Sequence, residues 1–271
     1  MNDPRALLTI AGTDPSGGAG LQVDLQVFRD YGFHGLSAVT AVVWQNTSQV
    51  RGFEPVASAH IGDQLDALFD DIPVAGIKVG MIGTAGALDA IAGHLSTIRS
   101  GIPVVVDPVF VSGTGSSSLR RGGLVEALRA RLLPEIDWLT PNIPEAEALL
   151  GEEIRSAGQM AEAARALRRL GPEVVLLKGG HLPSEAQEGT IRDVLATAER
   201  TAELTPLERI EEDVRGTGCQ LSSAIAAELA DGAGAVQAAE GARRYLNDLL
   251  HTKARRIGVG RPIVVRAGDP P

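Results

Sequence analysis

The stretch Ala6-Leu7-Leu8-Thr9-Ile10-Ala11-Gly12-Thr13-Asp14-Pro15-Ser16-Gly17-Gly18-Ala19-Gly20 decides how this chain is read. Its first part is a short apolar run that stops at a glycine, the pattern of a buried strand spanning Arg5 to Gly12. Beyond the glycine-rich turn, Leu21, Leu25 and Phe28 recur at helical spacing, and Gly32 after Tyr31 supplies a C-terminal stop. Strand, glycine loop and helix in that order open a β-α-β unit.

The same alternation continues along the chain. Strands are predicted at Leu36 to Val43, Gly76 to Met81, Pro103 to Pro108, Trp138 to Asn142 and Val174 to His181. Helices are predicted at Ser58 to Phe69, Thr84 to Ser100, Leu119 to Leu133, around Glu145 and Glu147, and at Ala157 to Leu170. From Thr190 to Ile210 the segments shorten and alternate, which predicts antiparallel strands at one end of the sheet. Helices at Cys219 to Asp231 and Ala235 to Arg256, with a last strand at Pro262 to Val265, close the chain.

Parallel strands need crossover connections, so this order implies an α/β fold with a mainly parallel sheet covered on both faces. No composition shift or linker divides it, and residues 1–271 read as a single domain. In such sheets ligands bind beyond the carboxyl ends of the strands. The Gly12 to Gly20 turn, Gln45, Met81, Asp107, Asn142 and Lys178 all fall just past such ends, so they can converge on one cleft.

Composition narrows the function. Of 271 residues, 44% are hydrophobic and 22% charged, and no apolar run is long enough to span a bilayer. A net charge of -9 argues against a general nucleic-acid or membrane surface. The first residues lack the apolar stretch of a secretory signal, so a cytoplasmic protein is expected. One cysteine, Cys219, excludes both an internal disulfide and a cysteine-based zinc site.

Cys219 stands where the turn Arg215-Gly216-Thr217-Gly218 opens a helix, a geometry that offers several unpaired backbone N–H groups to an anion. Helix terminus and a nearby cation both lower a thiol pKa, so a thiolate there can accept a proton from a substrate hydroxyl attacking ATP. The alternative is an inert buried cysteine. Gly17-Gly18-Ala19-Gly20 matches neither nucleotide-loop fingerprint, and reads either as a tight turn or as close backbone approach to a small substrate, with Asp24 pointing inward behind it. Gln45 carries the donors and acceptor that an aminated heteroaromatic ring needs, or is a loop-capping amide. Asp107, and Asn142 with Glu145, suit a water-mediated magnesium ion near phosphates or serve as caps. Lys178 beside Gly179-Gly180 can bring a point charge to a phosphate, or be solvated.

Seven blocks in order carry a family resemblance: Ala11 to Gly20, Gln45-Asn46-Thr47, Lys78-Val79-Gly80-Met81, Val106-Asp107-Pro108-Val109, Thr140 to Ala146, Lys178 to Leu182, and Gly216-Thr217-Gly218-Cys219. Together they resemble the hydroxymethylpyrimidine/phosphomethylpyrimidine kinases of thiamine biosynthesis, a branch of the ribokinase-like superfamily. The resemblance implies a three-layer α/β/α fold, a homodimer, and ATP- and Mg2+-dependent phosphorylation of 4-amino-5-hydroxymethyl-2-methylpyrimidine and then of its monophosphate. It implies that Cys219 is the catalytic base, that Gln45 reads the aminopyrimidine edge, and that Gly12, Asp24 and Met81 line its pocket. It further implies that Asp107 and Glu145 serve the metal, and that Asn142, Lys178 and the backbone of Gly216, Thr217 and Gly218 serve the phosphates.

The chain departs from the family pattern in two places. Val214-Arg215 stands where members usually carry Thr-His, and Gly113 where they carry a loop lysine. Arg215 is therefore expected to restore charge near the ATP phosphates. Pyridoxine or pyridoxal kinase is the nearest rival; a non-catalytic ligand-sensing relative and a cysteine hydrolase are the others, the last needing a histidine beside Cys219.

Overall fold

The structure is a computed structural model that describes residues 5–98, 101–109, 123–182 and 189–266. The first strand, β1 (Ala6–Ala11), is buried along its whole length, because parallel strands are covered on both faces. It feeds through the glycine turn into α1 (Gly20–Asp30), whose buried face carries Leu21, Val23, Asp24, Val27 and Phe28.

The apolar run from Leu36 to Val43 is not one strand. It divides at Thr40 into β2 (His34–Val39), parallel to β1, and β3 (Ala41–Gln45), which pairs antiparallel with β4 (Val50–Pro55). Thr40 makes the corner: its N–H donates to Ala11 O at 3.0 Å, its hydroxyl to Met81 O, and its own carbonyl accepts from Val56 N at 2.9 Å. The β3–β4 hairpin thus leaves the sheet beside the glycine turn, with Val42 and Trp44 exposed on it.

The next elements follow the expected alternation: α2 (Ser58–Phe69), β5 (Val74–Val79), α3 (Ala85–Ile98) and β6 (Val104–Val106). The expected Val111 to Ser118 loop, with Gly113, lies outside the described residues. The helix expected to end at Leu133 is resolved into α4 (Leu124–Ala127), a π-helical turn at Leu128–Leu132 and a 3-10 turn at Leu133–Glu135, where Pro134 prevents further α-helical bonding. Then come β7 (Trp138–Leu139), α5 (Ile143–Leu150), α6 (Ala157–Arg168) and β8 (Val174–Leu177).

Four short strands occupy the region read as antiparallel: β9 (Thr190–Ile191), β10 (Val194–Ala196), β11 (Thr201–Glu203) and β12 (Leu207–Glu208). Last are α7 (Thr217–Ala230), α8 (Ala235–Lys253), β13 (Ala254–Arg255) and β14 (Ile263–Val264). α8 stops short of Arg256 because residues 254–255 turn to pair with β14.

The central sheet runs β11-β10-β8-β7-β6-β5-β1-β2, parallel from β2 to β8, with β10 reversed beside β8. One face packs on α2, α3, α5 and α6 through residues such as Ile61, Leu88, Leu95, Leu149 and Leu167. The other packs on α1, α7 and α8 through Val27, Leu221, Ile225 and Ala239. This is the expected α/β/α arrangement, and it aligns the exits of β1, β5, β6, β7 and β8 along one edge.

Candidate active site

Gly216 adopts the left-handed conformation with φ +77°, and a Cβ there would meet Gly18 O at 2.0 Å. Only glycine allows that approach, which seats the start of α7 against the β1–α1 turn. Thr217, Gly218 and Cys219 then form the first turn of α7, where backbone N–H groups lack intrahelical partners and the helix dipole favours an anion. A Cβ on Gly218 would lie 3.1 Å from Asp107 Oδ2 and 3.2 Å from Lys178 Nζ, so no side chain separates the helix start from this charged pair.

Asp107 leaves β6 and Lys178 leaves β8, and they meet at 2.8 Å between Lys178 Nζ and Asp107 Oδ1. Burial alone would lower the Lys178 ammonium, but the carboxylates of Asp107 and Glu145 outweigh it and raise its pKa. Asn142 and Glu145 form a capping box at the start of α5: Glu145 N donates to Asn142 Oδ1 at 2.9 Å and Asn142 N donates to Glu145 Oε2 at 2.8 Å. Glu145 is buried, and that burial pushes its carboxyl up to about 8 despite the Lys178 charge.

Cys219 is half-buried in the same corner. The depressed pKa expected from a helix terminus and a cation is not found: burial pushes the thiol up to about 11, overriding the favourable Lys78 charge and the Gly20 N–H. Asp24 and Asp107 add to the rise. The groups that chiefly set this pKa are Lys78, Asp24, Asp107 and the Gly20 N–H, none of them a histidine.

Asp24 points inward as expected, but onto protein groups. It is wholly buried, with Oδ2 accepting from Thr9 Oγ1 at 2.6 Å and Lys78 Nζ at 2.8 Å, and Oδ1 from Ser223 Oγ at 2.8 Å. Lys78 is equally buried, and although burial opposes its charge, Asp24 chiefly holds it protonated. This ion pair joins α1, β5 and α7 under the site, a role in place of direct pocket lining.

A second group surrounds the β1–α1 turn. A Cβ on Gly12 would be 3.2 Å from Met81 Sδ and 3.4 Å from Val43 Cγ2, so Gly12 and Met81 face each other beside the β3 hairpin. Gln45 Nε2 donates to Thr13 O at 3.1 Å. Arg215, expected near the ATP phosphates, makes its side-chain hydrogen bonds within this group. Its Nε donates to Asp14 Oδ2 at 3.3 Å and its Nη2 to Gln45 Oε1, so the guanidinium is turned toward the 12–20 turn.

An open cavity of about 470 Å³ lies on the other side of α7's first turn. Asn142, Lys178, Thr217 and Gly218 line it at the phosphate-suited end, and Ile191, Leu207, Leu246 and Leu250 give it an apolar wall. Its volume suits a small-molecule ligand. Sequence reasoning missed the brace in its wall: Asp193 accepts from Gly179 N and from Arg243 Nε, both at 2.8 Å, and Arg243 Nη2 donates to Thr205 O at 2.8 Å. The only signal available was an arginine on the core-facing stripe of α8 beside Ala238, Ala239 and Ala242.

A cavity with an apolar wall, a helix N-terminus, a lysine between carboxylates and a separate amide-lined turn are the parts of a phosphotransfer site. The family model for phosphomethylpyrimidine kinase matches residues 14–264. The chain belongs to that family. A hydroxymethylpyrimidine/phosphomethylpyrimidine kinase of Rhizobium meliloti is 41% identical over 94% of this chain and 94% of its own length. A thiamine biosynthesis bifunctional protein of Geobacter sulfurreducens is 43% identical over 95% of this chain, which spans 51% of that longer protein. Among solved structures, an ADP complex of Bacillus subtilis pyridoxal kinase superposes with a TM-score of 0.86 at 30% identity, covering 97% of each chain. A phosphomethylpyrimidine kinase family member is an enzyme of the phosphotransferase class, and the mainly parallel α/β/α sheet described above agrees with that membership.

Proposed function

We propose that this chain transfers the γ-phosphoryl group of ATP to the hydroxymethyl oxygen of 4-amino-5-hydroxymethyl-2-methylpyrimidine, and then phosphorylates the monophosphate. The observation that carries the reading is the first turn of α7, open on one side to the Lys178–Asp107 pair and the 470 Å³ cavity, and seated on the other against the turn that holds Gln45. ATP occupies the cavity, with its phosphates at Lys178 and the N–H groups of Gly216, Thr217 and Gly218. The pyrimidine lies by Gly12, Met81 and Gln45. The substrate oxygen bonds phosphorus as the bond from phosphorus to the β-bridging oxygen breaks, and ADP leaves.

Lys178 and the helix N–H groups stabilise charge on the moving phosphoryl oxygens, where such fixed donors contribute most. The hydroxyl proton passes to Cys219 in its thiolate form. With the thiol near 11, that form is scarce at neutral pH. A loose transition state loses the hydroxyl proton late, so a scarce base is tolerable.

We assign magnesium to Asp107 and Glu145; burial keeps a proton on Glu145 up to about pH 8, so the ion would bind with release of that proton. No group of three or more His, Cys, Asp or Glu side chains suited to a metal occurs among the described residues, and magnesium typically takes one or two carboxylates and keeps its waters. Asp107 and Glu145 would hold the ion beside Lys178, and when bound it would neutralise charge on the phosphate oxygens. The enzyme is expected to act as a cytoplasmic homodimer of one domain per chain.

The similarity to pyridoxal kinase supports a second reading, in which the ring is a pyridine. The test is a product assay with ATP and magnesium, presenting the hydroxymethylpyrimidine, its monophosphate and pyridoxal in parallel. The pyrimidine reading expects both pyrimidines to be phosphorylated with a higher kcat/KM than pyridoxal. A preference for pyridoxal, or no turnover of any of the three, overturns it.

A further inference from the structure

Arg215 departs from the family pattern, and its guanidinium has a defined position. Asp14, wholly buried, holds it from one side: Asp14 Oδ2 accepts from Arg215 Nε at 3.3 Å, and Asp14 Oδ1 accepts from Ser16 N at 3.0 Å and Ser16 Oγ at 2.7 Å. On the other side Arg215 Nη2 donates to Gln45 Oε1, while Gln45 Nε2 donates to Thr13 O at 3.1 Å. A guanidinium only donates and a backbone carbonyl only accepts. The Gln45 amide is therefore permitted one of its two orientations, since a flipped amide would set N–H against N–H at Arg215 and oxygen against oxygen at Thr13.

We infer that Arg215 is a specificity-determining positioning residue that locks the Gln45 amide and so makes the site choose a 4-amino pyrimidine edge over a 4-oxo edge. The inference rests on the pyrimidine reading above and deepens it. A carbonyl oxygen has two lone pairs and an amide nitrogen two hydrogens, so the locked Gln45 retains one acceptor and one donor site for substrate. A 4-aminopyrimidine offers a ring-nitrogen acceptor next to an amino donor. Its 4-oxo analogue offers N–H and C=O in exchanged places. An amide free to rotate by a half turn satisfies either ring, whereas a locked amide satisfies one and opposes the other with like groups. Discrimination then comes from the unfavourable pairing forced on the wrong ring.

Calorimetric binding of the 4-amino ring and the 4-oxo analogue, without nucleotide, tests the lock independently of turnover. Wild type is compared with Arg215→Lys, whose ammonium still only donates, and with Asp14→Asn/Arg215→Met, which removes the lock without leaving a buried charge unpaired. The wild type is expected to prefer the amino ring by at least about tenfold, the cost of a lost hydrogen bond with its partner left unsatisfied. Arg215→Lys is expected to keep that preference and the double variant to bring the ratio toward one, while affinity for an ATP analogue stays within about twofold in all three, the change expected when no nucleotide contact is altered.

A double variant that keeps the wild-type ratio, or a wild type that binds both rings alike, overturns the lock. A loss of nucleotide affinity with the ring preference intact does so too, because it returns Arg215 to the phosphates. A wild type that prefers the amino ring but phosphorylates nothing leaves the lock standing and removes the kinase reading. If neither ring binds, both fall.

Discussion

Cys219 is pulled in opposite directions by forces of similar kind, and its reactivity shows which prevails. The start of α7, the Gly20 N–H and the Lys78 ammonium favour a thiolate; burial, Asp24 and Asp107 oppose it and lift the thiol from an ordinary 9.0 to about 11. At pH 7 that lift leaves about a hundredfold less thiolate, since each pH unit below the pKa is a factor of ten. Thiolates of higher pKa are more nucleophilic by about tenfold over this interval, at a Brønsted slope of about 0.4–0.5. The net expectation for iodoacetamide at pH 7 is alkylation about tenfold slower than for a free cysteine. The logarithm of the rate should rise with unit slope through about pH 10 without levelling. Mass spectrometry of the intact protein, sampled over time from about pH 6.5 to 10, measures this. A midpoint at or below about pH 8.5 would refute the reasoning, because helix terminus and cation would then have overcome burial. The same shift has a stability sign: the folded state holds the thiol proton more tightly, so this contribution is complete below pH 9 and lost as pH rises through about 11.

Two further predictions concern the supports of the site. Lys78→Met strands the buried Asp24 carboxylate and should cost about 3–5 kcal/mol in urea unfolding; adding Asp24→Asn, which keeps neutral partners for Thr9 and Ser223, should recover more than half. Gly216→Ala places a side chain in a left-handed conformation, costing about 1–2 kcal/mol before its 2.0 Å clash with Gly18 O is counted. Calorimetry should then show Tm lower by at least about 2–4 °C, and kcat should fall with it; a variant with wild-type Tm would mean the turn has another route.

Helices with clean periodicity and marked ends were legible in sequence, as α2 from Ser58 to Phe69 illustrates. The corner at Thr40 was hidden because an unbroken apolar run carries no sign of which partner strand each half will take. β4 was hidden too: Gly52 and Pro55 weaken its strand signal, and its place beside β3 comes from tertiary pairing. At the site, the residue types were readable, since Asp107, Asn142, Glu145 and Lys178 gather as strand-exit residues should. Directions and environments were not. Proximity in sequence put Arg215 with the phosphates, whereas its side chain runs back to Asp14 across the β1–α1 turn. The helix terminus at Cys219 was visible, but the burial that outweighs it depends on α1, β5 and β6 packing around it.

The contact between Gly216 and Gly18 also fixes when the site can exist. A Cβ on Gly18 would meet Ile263 Cγ2 at 2.5 Å, and Arg215 N donates to Pro262 O at 2.9 Å, so the first glycine turn is closed by the last strand. At about 5–20 residues per second, a ribosome needs on the order of 12–50 s to reach Ile263 after making Gly18. During that interval the turn has been synthesised but has no floor, and for most of it, until Arg215 is made, the Gln45 amide has no arginine to hold it. Substrate recognition is therefore among the last properties the growing chain acquires, and loss of the segment from Pro262 onward would remove it while leaving most of the sheet in place.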